Sequence, residues 1–174
     1  IGFEADDIIA TLANEAQVAQ IPTTMVTDDK DVMGLISDAS PKCHQWLYTK
    51  KEMMDATGVQ KKFGVTPSQM VDYLSLLGDT SDNVPGVKGV GAKSAMVLLQ
   101  HFGNLESLYA SISDVGELNI RGAASIQKKL ETDKETAMRA KRLITLRKDV
   151  PIGEVEWSTL EFKGAREDAY PFFY

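Results

Sequence analysis

The sequence predicts an α/β region followed by an all-helical region. Before residue 65, helical, extended and again helical patterns alternate, which is typical of a parallel α/β layer. After residue 66, apolar residues recur only at helical spacing, and glycines separate the segments. No apolar run approaches the ~18 residues that a bilayer-spanning helix needs, so we expect no membrane segment.

The net charge of −6 is unevenly distributed along the chain. Residues 1–60 contain ten acidic and four basic residues, whereas residues 111–150 contain nine basic and six acidic residues. A region that holds metal ions followed by one that touches phosphates would have this distribution, although an ordinary solvated surface explains it equally well. The single cysteine, Cys43, excludes an internal disulfide and is typical of a reducing cytoplasm.

The first region begins with an amphipathic helix at 4–16, whose acidic first turn faces the positive end of the helix dipole. The elements that follow are a strand at 23–27, a short helix at 32–36, a hairpin of Gln45–Tyr48 and Glu52–Met54, and a helix at Ala56–Phe63 closed by Gly64. Thr49 and Glu52 also fit a helix capping box, so a helix start between the two hairpin strands stays an alternative.

The second region begins with Thr66 as a helix N-cap, Pro67 at the first helical position and Gln69 completing a capping box. The elements that follow are a helix closed by Gly78, a loop at 79–88, and a helix from Gly89 to about His101 closed by Gly103. After these come a short helix from Asn104 to about Ile112, an irregular stretch at 113–121, and one or two basic helices at 122–147 ended by Pro151. Residues 151–174 form an acidic tail with an aromatic end at Tyr170, Phe172, Phe173 and Tyr174.

A glycine-rich turn lies between two predicted helices at Pro85–Ala95. Glycine lets a backbone approach a phosphate closely, the free N–H groups of the next helix bind anions, and Lys93 adds a positive charge one turn later. A P-loop is excluded because Ala92 separates Gly91 from Lys93, and no strand precedes the turn as a dinucleotide site requires. A merely tight helical turn remains the alternative.

Carboxylates cluster at the ends of three predicted elements. These clusters are Glu4, Asp6 and Asp7 at a helix start, Asp28, Asp29 and Asp31 after a strand, and Asp79 and Asp82 in a loop. Each cluster alone has a structural explanation: acids that interact with the helix dipole for the first cluster, and residues of Asx turns for the other two. Together they favour a bound cation, because like charges repel one another unless a cation lies between them. An EF-hand is excluded because Met33 and Ser40 occupy positions that need its ligands.

Four motifs occur in one order along the chain: Glu4-Ala5-Asp6-Asp7, Thr27-Asp28-Asp29-Lys30-Asp31, Gly78-Asp79-Thr80-Ser81-Asp82-Asn83, and Gly89-Val90-Gly91 with Lys93-Ser94-Ala95. Together they resemble the 5′-nuclease (5′–3′ exonuclease) domain of bacterial DNA polymerase I, in the flap endonuclease superfamily. The resemblance implies part of a PIN-like (Rossmann-like) nuclease core at 1–65. It implies a helix-three-turn-helix (helix-hairpin-helix) DNA-binding region at 66–150, and a tail or linker toward a following domain at 151–174.

The resemblance also implies site residues. It assigns catalysis and two Mg²⁺ ions, with Mn²⁺ as a substitute, to Glu4, Asp6, Asp7, Asp29, Asp31, Asp79 and Asp82. It assigns DNA binding, with K⁺ held by hairpin carbonyls, to Gly86, Lys88, Gly89, Val90, Gly91, Lys93 and Ser94. Asp28 is left out of the ligand set because that position is often small in the family.

The function that the resemblance implies is Mg²⁺-dependent hydrolysis of DNA phosphodiesters at 5′ flaps, nicks or duplex ends, independent of sequence. Such an enzyme acts in primer removal and repair in the cytoplasm, at the nucleoid, and we expect no oligomer. Two alternatives stay open: a non-catalytic duplex-binding module, and a small stand-alone 5′-nuclease.

The chain begins at the Glu4-Ala5-Asp6-Asp7 motif and has no initiator methionine. The family places a first strand with metal-binding aspartates and a basic helical arch before this motif. We therefore expect this chain to be a piece of a longer protein and to be inactive or nearly so by itself. We also expect its helical half to be the sturdier part.

Overall fold

The computed structural model describes residues 2–164, so the predicted aromatic end of the tail lies outside the described residues. The first region consists of α1 (Ala5–Val18), β1 (Thr23–Val26), β2 (Cys43–Leu47), β3 (Glu52–Met54) and α2 (Ala56–Phe63). The sheet order is β1-β2-β3, with β1 parallel to β2 and β2 antiparallel to β3. The predicted hairpin is thereby confirmed, and the alternative of a helix start at Thr49 is wrong.

The strand β2 supplies the inner face of this sheet. Its burial alternates, with Cys43, Gln45 and Leu47 buried, as expected for a strand with one face on the core. The parallel register pairs Val26 of β1 with Trp46 of β2, so both strands end at the same edge of the sheet. The acidic loop that follows β1 is therefore placed at this edge.

The second region is built from helices. They are α3 (Met70–Leu77), α4 (Ala92–Phe102), α5 (Leu105–Ala110), α6 (Ala123–Thr132), α7 (Lys134–Ile144) and α8 (Trp157–Leu160). Short 3-10 helices lie at Asp31–Leu35, Pro67–Gln69 and Ile112–Glu117. The capping box of Thr66 and Gln69 and the left-handed cap at Gly64 (φ 75°) are confirmed.

Two sequence predictions for this region are corrected, and the choice between one and two basic helices is decided. The stretch at 113–121 is partly a 3-10 helix, which starts directly after α5. The basic residues form two helices that break at Asp133, and the second ends at Ile144 rather than at Pro151. Thr145 adopts an extended backbone at that end, which frees residues 146–150 to cross toward α1.

The predicted loop at 79–88 instead contains a small antiparallel clasp of β4 (Gly78–Asp79) and β5 (Val84–Pro85). Two glycines make this close approach possible. Gly78 has a φ of 80°, which favours glycine, and a Cβ on Gly86 would overlap the backbone of Leu77 and Gly78. Sequence patterns do not show such a contact, because two-residue strands have no periodicity.

One hydrophobic core runs through both regions, from Met25 and Val32 through Leu74 to Leu98 and Leu130. A second link closes the molecule, because the buried Thr11 of α1 accepts a hydrogen bond from the backbone N–H of Val150 (3.2 Å). The described tail, with α8, flanks an apolar cleft of about 730 Å³ beside α1 and β1. Within residues 2–164, none of the helices is long and apolar enough to cross a membrane.

Candidate metal centre and nucleic-acid interface

The acidic loop after β1 is held by the fully buried side chain of Gln45. Its amide Nε2 donates to the carbonyl oxygens of Thr27 (2.9 Å) and Asp29 (2.7 Å). The Asp29 carboxylate in turn accepts the N–H of Asp31 (2.9 Å), so the Asx-turn interpretation is correct for Asp29. The loop backbone is fixed, and it presents Asp31 at the start of its 3-10 helix.

Asp31, Asp79 and Asp82 converge on one point. Each offers a carboxylate oxygen, and these oxygens lie within 4.8 Å of one another. Asp79 is 2% exposed, Asp82 is exposed, and Asp31 is half-buried. Burial, followed by the negative charges of Asp29 and Asp79, raises the pKa of Asp31 to about 7. The site therefore concentrates negative charge where water is partly excluded.

A lysine neutralises part of this charge. The Lys30 ammonium forms an ion pair with Asp79, and the other Asp79 oxygen accepts the N–H of Ser81 (2.9 Å). Burial alone would raise the pKa of Asp79, but Lys30 and the Ser81 N–H outweigh it and hold this pKa below its usual value. Burial alone would lower the pKa of Lys30, but Asp79 and the neighbouring aspartates raise it. Lys30 thus acts as an internal counter-ion of the acidic cluster.

The acids of α1 divide between two environments. The pKa of Asp6 is raised, first by burial and then by the negative charges of Asp29, Glu4, Asp7 and Asp82. Asp6 therefore lies within the electrostatic field of both other acidic clusters. Glu4 is the exposed N-cap of α1. Asp7 accepts the backbone N–H of Arg147 (2.8 Å), so one of its oxygens already joins α1 to the end of the helical region.

Asp28 points away from the convergent acids. Its carboxylate accepts the N–H of Thr49 (3.2 Å) and pairs with the Thr49 hydroxyl beyond the end of β2. The structure thereby gives a reason for leaving Asp28 out of the ligand set. Its neighbour Asp29 faces the other way, toward Asp31 and Asp6.

The residues predicted to bind DNA lie around the turn between the clasp and α4. Lys88, Gly89, Gly91 and Lys93 are exposed, and Ser94 is half-buried. Val90 is 5% exposed and packs in the core, so only its backbone is available to a ligand. Gly86 is crowded by the backbone of α3, so its lack of a side chain is already required for packing. The N–H of Lys88 donates to Asp133 (3.1 Å), which anchors the turn to the junction of α6 and α7.

Comparison with known families covers nearly the whole chain. Residues 1–64 match the family described as "5'-3' exonuclease, N-terminal resolvase-like domain". Residues 65–168 match the family described as "5'-3' exonuclease, C-terminal SAM fold". The chain belongs to the 5′–3′ exonuclease family.

Relatives in the 5′–3′ exonuclease family include DNA polymerases and shorter nucleases. The chain is 42% identical over 152 residues to DNA polymerase I of Pseudomonas aeruginosa, covering 87% of this chain and 16% of that protein. It is 35% identical over 152 residues to the 5'-3' exonuclease of Buchnera aphidicola subsp. Schizaphis graminum, covering 87% of this chain and 52% of that protein. The chain thus spans about half the length of the curated 5'-3' exonuclease and a much smaller share of the polymerase.

A solved structure with the same fold is the bacteriophage T5 D15 flap endonuclease in complex with DNA and metal ions. It superposes with a TM-score of 0.69 at 22% identity, covering 82% of this chain and 50% of that chain. The T5 5'-exonuclease with bound zinc superposes with a TM-score of 0.67 at 23% identity, covering 82% of this chain and 50% of that chain. At this identity the likeness shows that the fold is shared, a resolvase-like α/β region followed by a helical SAM-like region.

The residues present fit a divalent metal ion. The Oδ1 atom of Asp31 is buried and has no hydrogen-bond partner within residues 2–164. It faces two further carboxylates, and oxygen-only donors are those that Mg²⁺ and Mn²⁺ prefer. A cation at this point would satisfy the buried oxygen and offset the mutual repulsion of the acids.

Sequence reasoning did not assign roles to several residues that shape the site. Lys30 pairs with Asp79, Asp133 binds the Lys88 N–H, and Arg147 binds Asp7. Lys30 carried a local signal, since it lies between two acids of the motif. The other two contacts join residues 45 and 140 positions apart, so no local pattern reveals them.

Proposed function

We propose that this chain supplies the acidic metal site and the duplex-binding hairpin of a structure-specific 5′–3′ exonuclease and flap endonuclease. The longer protein would be a DNA polymerase I that removes primers and repairs chromosomal DNA in the cytoplasm. The observation that carries the proposal is the convergence of Asp31, Asp79 and Asp82, in which the buried Oδ1 of Asp31 has no hydrogen-bond partner among residues 2–164.

The acids would divide into two groups around two Mg²⁺ ions, with Mn²⁺ as a substitute. Glu4, Asp6 and Asp7 would serve one ion, and Asp29, Asp31, Asp79 and Asp82 the other, some of them through water. Two such ions would neutralise the charge of the phosphodiester and stabilise its attacking and leaving oxygens. Asp31 and Asp79 are the anchors of this arrangement, because Asp29 binds the N–H of Asp31 and the buried Asp79 is held by Ser81 and Lys30.

The chain's own residues prepare the site in two ways. Gln45 fixes the backbone that carries Asp29 and Asp31, so the carboxylates need not reorganise when a metal or substrate arrives. Lys30 keeps Asp79 charged and paired while no metal is bound. With a cation held by Asp79, the Lys30 ammonium would be available to a neighbouring acid or to a substrate phosphate.

The hairpin would bind the DNA backbone without reading its sequence. Lys88, Gly89, Gly91, Lys93 and Ser94 are at least partly accessible at the turn, and the N-cap Gly91 leaves the first N–H groups of α4 without a side-chain partner. A K⁺ ion held by the hairpin carbonyls between Gly86 and Gly91 would join this backbone to a phosphate.

The test is a matched pair of substitutions in the protein that contains this chain. Asp31→Asn should lower cleavage of a 5′-flap duplex in Mg²⁺ by at least about a hundredfold, because losing even an outer-sphere partner of a metal costs about 10- to 100-fold. Asp28→Asn removes the same charge three positions earlier, but its carboxylate faces Thr49, so cleavage should stay within about twofold of wild type.

DNA affinity is measured in Ca²⁺ in the same experiment, so that a loss of cleavage is separated from a loss of binding. The proposal requires Asp31→Asn to bind the flap duplex at least as well as wild type. Cleavage unchanged by Asp31→Asn would contradict the metal site and favour a non-catalytic DNA-binding module. Equal losses from both variants would mean that general negative charge, rather than this geometry, matters.

A further inference from the structure

The side chain of Lys129, near the end of α6, lies directly on the tip of the hairpin. A Cβ built on Gly89 would be 3.2 Å from Cε and 3.5 Å from Cδ of Lys129, and closer still to its ammonium nitrogen. Gly89 has a φ of 82° and carries no side chain, so the lysine stem fits against its backbone. The two residues are 40 positions apart in sequence, and the three atoms nearest to such a Cβ all belong to Lys129.

In the part of the chain that the structure describes, Lys129 lacks the anionic partner that the other half-buried lysines have. Lys141 pairs with Asp72 and Glu106, and Lys30 pairs with Asp79. Within residues 2–164, Lys129 takes part in no ion pair and no side-chain hydrogen bond, although it is half-buried. A partly desolvated charge without a partner is unfavourable, so this position favours an anionic ligand.

An acid one helical turn after Lys129 also contacts the hairpin. Asp133 follows Lys129 by one helical turn, and its carboxylate accepts the N–H of Lys88 at the hairpin. Residues 129 and 133 therefore both face the turn: Asp133 holds its backbone, and Lys129 places a positive charge beside the exposed Gly89. Exposed Lys88 and Lys93 lie on the same turn, so the charges at the tip are predominantly positive.

We propose that Lys129 is a phosphate contact of the hairpin, and that it binds a backbone phosphate of duplex DNA at Gly89. The inference rests on the proposed function and deepens it, because it extends the DNA interface from the hairpin to α6. It also assigns a reason for glycine at position 89: a side chain there would displace the ammonium group from the tip.

The experiment measures duplex affinity against salt concentration in Ca²⁺, with the protein that contains this chain. Lys129→Met keeps the apolar stem and removes the charge. Log affinity falls as log salt rises, and this substitution should make that slope shallower by about 0.9. If the affinities of variant and wild type are equal at 1 M salt, the variant binds about eightfold more weakly at 0.1 M salt. Lys129→Arg should retain most of the wild-type slope, since it restores a positive charge at the end of a long stem.

Two matched variants make the result decisive. Lys128→Met removes an exposed charge from the next position of α6, about 100° around the helix, and its salt slope should remain close to wild type. Lys93→Met tests the hairpin itself and should also lower the slope by about 0.9. Thermal unfolding of Lys129→Met should occur at a temperature no lower than that of wild type, because the charge it removes has no partner, and this separates loss of a phosphate contact from loss of fold.

A wild-type slope for Lys129→Met, together with a reduced slope for Lys93→Met, would overturn this inference and leave the proposed function standing. Equal losses from Lys128→Met and Lys129→Met would also overturn it, because the effect would then be that of general charge on α6. Salt-independent binding by wild type and every variant would overturn both the inference and the proposed hairpin.

Discussion

Asp79 is 2% exposed and is held on both sides, by the Ser81 N–H at 2.9 Å and by the Lys30 ammonium. The first contact is the Asx turn that a loop aspartate commonly forms, and the second keeps a buried carboxylate charged. The structural and functional interpretations of this residue are therefore compatible. One oxygen shapes the clasp, and the other is the one that a metal ion would share.

Replacing Lys30 by Met should leave the buried Asp79 charge without its counter-ion. We expect the free energy of unfolding in EDTA to fall by about 2 kcal/mol. This is less than the full cost of breaking a buried ion pair, because Lys30 is partly exposed. Mn²⁺ should stabilise Lys30→Met more than it stabilises wild type, because the metal no longer competes with the ammonium group. Thermal unfolding with EDTA or Mn²⁺ measures both effects.

The control for this variant is Lys42→Met, which removes an exposed lysine without an ion pair among the described residues. It should unfold like wild type under both conditions. A Lys30→Met protein as stable as wild type in EDTA, with the same response to Mn²⁺, would show that Lys30 is not the counter-ion of this site.

At the scale of elements, the clasp of β4 and β5 connects the proposed metal site to the hairpin. Asp79 lies in β4, Gly86 directly follows β5, and the turn that ends at Gly91 starts α4. The close approach of Gly78 and Gly86 lets the chain reverse direction between α3 and the hairpin. The geometry of both proposed sites therefore depends on two glycines that touch neither a metal nor DNA through a side chain.

Gly86→Ala should destabilise the protein by about 3 kcal/mol, because its Cβ would overlap backbone atoms that cannot move aside. Gly34→Ala is the matched control. Its Cβ would lie 3.7 Å from the Pro67 carbonyl oxygen and from a Val71 methyl group, an ordinary contact, so stability should change by less than about 0.5 kcal/mol. Urea unfolding compares the two, and equal stabilities would show that the clasp tolerates a side chain.

Elements with local signals were predictable from the sequence. The helix Ala56–Phe63 and its Gly64 cap, the Thr66 capping box and the Asn104 cap are all confirmed, because each depends on residues within one turn of one another. The clasp, the 3-10 helix at Ile112–Glu117 and the end of α7 were not predicted correctly, because they depend on contacts between segments. At the site, the sequence motifs singled out Asp31, Asp79 and Asp82, which the fold brings together. They did not predict the contact of Asp7 with Arg147.

At the scale of the whole molecule, the two regions are one structural unit. The core is continuous from β1 to α7, and residues 147–150 return to α1, where Arg147 binds Asp7 and Val150 binds Thr11. The helix that carries Glu4, Asp6 and Asp7 is thereby tied to the end of the helical region. The expectation that the helical half is the sturdier part stays a prediction, and the shared core favours a common stability for both.

Thr11→Val should test this connection, because it removes the buried acceptor for the Val150 N–H while keeping the shape of the side chain. We expect a loss of about 2 kcal/mol, and the unfolding transitions followed by the fluorescence of Trp46 and Trp157 and by helical circular dichroism should still coincide. Thr132→Val is the control, since that hydroxyl bonds only to Lys128 of its own helix and is exposed. Separate transitions in wild type would contradict a single unit.

The measurement that tests the account most directly is a crystal structure with Mn²⁺, in which anomalous scattering locates the ion. We predict a peak bound by carboxylate oxygens of at least two of Asp31, Asp79 and Asp82, with the Lys30 ammonium displaced from Asp79. A map at saturating Mn²⁺ with no peak between these carboxylates, and with Lys30 still paired to Asp79, would contradict the proposal that this chain carries a nuclease metal centre.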